Sequence, residues 1–139
     1  MPVKPRGLWQ VSLGVVRVLL AMLFFAAGTA KLVGVPQMVE GFELIGLGQW
    51  FRFVTGTVEI VGATFLLTHK LVSAGALLLS CTMVGATIAH LTRAPGSPVP
   101  AVVLLMPSVL LAVSYRHRLR GYLQTKFIRQ VRQTKCTSR

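Results

Sequence analysis

Residues 53–68 read Phe-Val-Thr-Gly-Thr-Val-Glu-Ile-Val-Gly-Ala-Thr-Phe-Leu-Leu-Thr, an apolar run with one charge, Glu59. As a helix the run measures about 24 Å, somewhat less than a ~30 Å hydrocarbon core. A carboxylate in hydrocarbon costs at least ~2.5–3.5 kcal/mol, so it turns to a bundle interior and a partner. The i±3 and i±4 neighbours of Glu59 are Thr55, Gly56, Gly62 and Ala63, all small enough to admit a second helix. The expectation is an all-α integral membrane bundle in which Glu59 faces a cation on an adjoining segment.

The rest of the chain supports a bilayer as solvent. It has 139 residues, one domain's worth, with 53% apolar and only 13% charged residues. A soluble domain carries about 25% charged residues. Net charge is +12, but eight of the fifteen Lys and Arg residues follow Tyr115. A basic tail flanking apolar runs suits an anionic membrane surface and argues against nucleic acid as partner. Cys81 lies inside an apolar run and Cys136 in the tail, so no disulfide is expected. Cys81 reads as a small core residue rather than a redox thiol.

Three further runs complete a four-span pattern. The first covers about 11–32, interrupted only by Arg17, and is read as an uncleaved helix rather than a signal peptide. The third, 71–92, is the clearest, and the fourth, 99–115, contains Pro107, where a kink is expected. Residues 1–115 thus form the four-helix bundle and 116–139 a basic tail. The segment 33–52, punctuated by Gly41, Gly46 and Gly48, reads as interfacial or partly re-entrant, anchored by Trp50. Glu40 and Glu43 within it read as solvated charges. In the tail, Leu119, Leu123, Phe127 and Val131 recur at i+4, the pattern of an amphipathic helix on anionic lipid; a solvated tail fits as well.

Lys4, Arg6, Lys70 and the tail place most basic residues on one side, against Lys31, Arg52 and Arg93 on the other. The positive-inside rule makes both termini cytoplasmic in a cell (inner) membrane. Lys31 then ends the first span on the outer side, His90 ends the third there, and Glu59 lies about two turns in. Each sits beside small residues: Ala27 and Gly28 for Lys31, Ala86 and Thr87 for His90. We expect a Lys31–Glu59–His90 cluster that binds a small ligand or quinone headgroup, or relays a proton. The equally open structural reading has Glu59 lock two helices while Lys31 and His90 snorkel outward. Arg17, about 21 Å along the axis from Lys31, is assigned a structural or snorkelling role. Small lines Cys81–Gly85–Ala89 and Ala26–Ala30 read as packing seams. No metal-ligand cluster, phosphate loop or Ser/His/Asp set occurs, so no catalytic residue is assigned, and no cofactor is evident beyond a quinone.

Several segments together resemble the DoxX-like family of small four-helix bacterial membrane proteins. They are Arg17 followed by Phe24-Phe25-Ala26-Ala27-Gly28-Thr29-Ala30-Lys31-Leu32, then Gly56-Thr57-Val58-Glu59-Ile60-Val61-Gly62-Ala63, then Met83-Val84-Gly85-Ala86 with His90. The resemblance spans roughly 12–115 and implies a membrane bundle associated with redox chemistry. The family namesake is similar to a subunit of thiosulfate:quinone oxidoreductase, and distant relatives look like assembly factors. Three roles follow as expectations: an accessory or anchoring subunit beside a redox enzyme subunit or a second copy, an assembly factor, or a small proton-coupled transporter.

Overall fold

The computed structural model of the chain describes residues 7–93 and 97–116. Within them lie five helices: α1 (Leu8–Val33), α2 (Pro36–Ile45), α3 (Gln49–Leu67), α4 (Val72–Thr92) and α5 (Val99–Ser114). The amphipathic pattern in the tail, Cys136 and the flanking Lys4 and Arg6 fall outside the described residues.

The chain is a multi-pass membrane protein. At 26, 19 and 21 residues, α1, α3 and α4 are long and apolar enough to cross a bilayer. The sixteen residues of α5 reach only about 24 Å. Three of the four expected crossings meet that length, and α5, the fourth, is a shorter apolar helix. The segment 33–52, read as interfacial or partly re-entrant, contains a helix of its own. Pro36, whose missing N–H costs nothing in a first turn, opens the ten-residue α2, and Gly46 at φ 78° closes it. Helix α3 starts four residues before residue 53, so it includes Arg52, where charge had been read as the end of the run.

Lipid tails are as apolar as leucine, so helices associate here through close backbone packing. Helix α1 packs on α3, α3 on α4 and α4 on α5, while α1 also touches α5. Two glycine crossings set the geometry. A Cβ on Gly28 would lie 2.8 Å from the Gly56 carbonyl oxygen, so α1 and α3 meet backbone to backbone. A Cβ on Gly75 would lie 2.6 Å from the Gly62 oxygen, and one on Gly62 would lie 2.7 Å from the Leu79 side chain. Ser73 Oγ donates to the Ala112 carbonyl at 3.0 Å, joining α4 to α5. Leu20, Phe24, Leu66, Leu79 and Leu111 fill the centre.

The seams differ from the expected ones. Cys81 and Gly85 are exposed, and a Cβ on Gly85 would meet nothing within 4 Å. Ala26 is exposed as well. Cys81 is therefore not a core residue: α4 buries Gly75, Ala76, Leu79, Ser80 and Met83 and turns Cys81 outward. Because both the lipid and the protein side of such a helix are apolar, periodicity does not tell them apart.

Candidate functional site

The site follows from the Gly28–Gly56 crossing. Lys31 lies one turn beyond Gly28 on α1, and Glu59 one turn beyond Gly56 on α3. With the backbones in contact, the two side chains meet, and Lys31 Nζ donates to Glu59 Oε1. Glu59 is only 1% exposed, whereas the Lys31 side chain keeps 15% of its surface open. The second carboxylate oxygen, Oε2, is buried and has no donor among the described residues. Of the two partners, Lys31 is therefore the one with surface open to the outside.

Arg52 is the residue that sequence reasoning missed. It is buried, donates from Nη1 to the Lys31 carbonyl oxygen, and from Nε to Gln49 Oε1 at 2.9 Å. Its guanidinium carbon stands 4.5 Å from the Phe53 ring centroid, a cation–π distance. Gln49 in turn donates to the Val39 carbonyl at 3.1 Å and to Glu43 Oε1 at 3.4 Å. A polar column therefore runs from the buried Glu59 through Lys31, Arg52 and Gln49 to α2. Gly34 is part of it: its φ is 83°, and a Cβ there would lie 3.3 Å from Arg52 Nη1. The signal for Arg52 was available, since it lies seven residues before Glu59 on the same face of α3.

Arg52→Met keeps much of the apolar stem but deletes both hydrogen bonds. Bonds to charged groups contribute about 1.5–3 kcal/mol each, so we expect a lower melting temperature and faster proteolysis between α1 and α3. Unchanged melting and cleavage in Arg52→Met would remove Arg52 from the site.

His90 does not join the pair. The Gly62–Leu79 contact sets the register of α3 and α4, which puts Glu59 level with about Thr82 and His90 roughly 12 Å further along. His90 is half-buried, and its buried Nδ1 has no partner among the described residues. It makes no ion pair with Glu59 among the described residues.

Arg17, assigned a structural or snorkelling role, is tied to the end of α3. It is nine-tenths buried, donates from Nη2 to the Leu67 carbonyl at 3.1 Å and pairs through Nη1 with His69 Nδ1 at 3.1 Å. It binds the last turn of α3, where a cation meets the negative end of the helix dipole. No group of three His, Cys, Asp or Glu residues that could hold a metal occurs among the described residues.

The chain is thus a small multi-pass bundle whose first and third helices are joined by a buried Lys–Glu pair. The family model described as "DoxX-like family" matches residues 15–115, and the chain belongs to that family. Two relatives come from Bacillus subtilis (strain 168). "Putative oxidoreductase CatD" is 25% identical over 108 residues, covering 76% of this chain and 81% of CatD. "Uncharacterized protein YdgD" is 32% identical over 103 residues, covering 68% of this chain and 90% of YdgD. No solved structure matches the chain significantly.

Proposed function

We propose that this protein is an accessory or membrane-anchoring subunit of a membrane redox system, with a ligand site at Lys31, Glu59 and Arg52 near the outer face. His90, further along α4, flanks the approach to that site. The observation that carries the reading is the asymmetry of the pair: Glu59 is sealed while Lys31 remains reachable. A partly open ammonium backed by a buried carboxylate can donate to a ligand oxygen, such as that of a quinone headgroup or thiosulfate, without lying bare in lipid. Family membership and the name of CatD support a redox setting. In this reading α5 also crosses, giving four spans with both termini on the cytoplasmic face of the inner membrane. The basic tail then lies against anionic lipid.

The test is thermal. A ligand that binds the folded state raises its stability, by about 2.7 kcal/mol at a hundred times Kd. We expect a short-chain quinone or thiosulfate to raise the melting temperature of purified protein by several degrees, and Lys31→Met to abolish that rise. No shift with either ligand would refute the site. A second reading rests on the Gly28–Gly56 interlock, which makes the ion pair a clamp between helices. It describes a non-catalytic assembly factor, and predicts recovery of one stoichiometric membrane partner with no ligand response.

A further inference from the structure

At the end of the bundle away from Lys31, Arg17 presents an electrostatic problem. Its guanidinium carries five N–H donors and a charge that it does not lose. Two donors are used, on the Leu67 carbonyl and on His69, and Nε is buried without a partner among the described residues. A carbonyl and an imidazole do not neutralise a full charge. The chain has three acidic side chains, Glu40, Glu43 and Glu59. The first two lie on α2, and Glu59 sits eight residues, or roughly 12 Å, along α3 from Leu67, already paired with Lys31. No acidic side chain of the protein stands at the Arg17 end, while Lys70 and Arg116 there are exposed and add positive charge.

Two recesses lie at this end of α1, the first of them lined by Arg17. One, of about 530 Å³, is lined by Trp9, Gln10, Arg17, His69 and Tyr115 among others. The second, of about 410 Å³, is an apolar furrow along α1 formed by Val11, Gly14, Val15, Val18 and Leu19. They share Gln10, Gly14 and Val18, so polar recess and apolar furrow are continuous. Gly14 forms the floor: a Cβ there would meet nothing within 4 Å. Trp9 and Tyr115 flank the polar end, where aromatic side chains meet headgroups.

We propose that this end of the bundle binds one anionic phospholipid, its phosphate held by Arg17 and His69 and an acyl chain lying along the Gly14 furrow. A phosphate supplies the missing counter-charge and accepts N–H bonds from a guanidinium. Basic recesses between spanning helices suit such headgroups. The continuous furrow selects a lipid over a free anion. The site is independent of the ligand proposed for Lys31.

Full-length protein, stripped of lipid in mild detergent, is offered equal phosphatidylglycerol and phosphatidylcholine and examined by native mass spectrometry. Wild type is expected to retain phosphatidylglycerol about tenfold better, the scale of one charge-assisted bond. Phosphatidylglycerol should raise the melting temperature, and phosphatidylcholine or inorganic phosphate should not. Gly14→Phe, which enters open space, should keep the fold and lose the retained lipid; His69→Ala should weaken the preference, and Arg17→Gln should abolish it. If Arg17→Gln fails to fold, the Gly14 and His69 variants decide. Equal retention of both lipids by wild type, undiminished retention in Gly14→Phe, or an equal response to inorganic phosphate would overturn the proposal.

Discussion

Lys31→Met is expected to be the most damaging single substitution at the ion pair. It leaves a carboxylate that is 1% exposed without its cation, and breaking a buried pair in this way costs about 3–5 kcal/mol. Glu59→Gln should cost less, because Lys31 keeps part of its surface open and its long stem can carry the ammonium to the interface. The order of the two effects therefore reports the direction in which the site opens. Thermal melting of both variants in one detergent measures it. Equal losses would mean that neither side chain has an exit, and a larger loss for Glu59→Gln would place the opening at the carboxylate.

The second large effect belongs to Gly75. A Cβ there would stand 2.6 Å from the Gly62 carbonyl oxygen, 2.7 Å from Phe65 Cβ and 2.9 Å from the Leu66 nitrogen. Two of these are backbone atoms, so no rotamer change relieves the clash and α3 must move off α4. Gly75→Val should cost about 1–3 kcal/mol or more through overpacking. Helix propensity acts the other way, since glycine inside a helix costs ~1 kcal/mol relative to alanine. Gly85→Ala isolates that term in the same helix: nothing lies within 4 Å of its Cβ, so the change should be neutral or stabilising. If Gly75→Val melts like wild type, the α3–α4 crossing is not the tight contact described.

The contact between Glu59 and Lys31 is legible in the sequence; helix register and the facing of α4 are not. Glu59 stood out because an acid in hydrocarbon needs a partner, and the glycines around it marked a crossing. Lys31 followed from the same reasoning. His90 was placed at the depth of the pair because it ends a span on the same side, but span ends do not fix register. The Gly62–Leu79 contact does, and it moves His90 about two turns outward. Arg52 was hidden by the habit of ending an apolar run at a charge, although its spacing to Glu59 put both on one face. Cys81 and Gly85 were read as interior because small residues often mark seams. On α4 that role falls to Gly75, and the outer side is equally apolar. Helix α2 carried a local signature in Pro36 and Gly46 that outweighed its glycine-punctuated composition.

The measurement that tests the inward-facing pair most directly is a double-mutant cycle with Lys31→Met, Glu59→Gln and both together. Because the two groups touch, their effects should not add: the double variant should regain about 2 kcal/mol or more of the sum of the single losses. Strict additivity would show that Lys31 and Glu59 act on separate surroundings, and the site built on their contact would not exist.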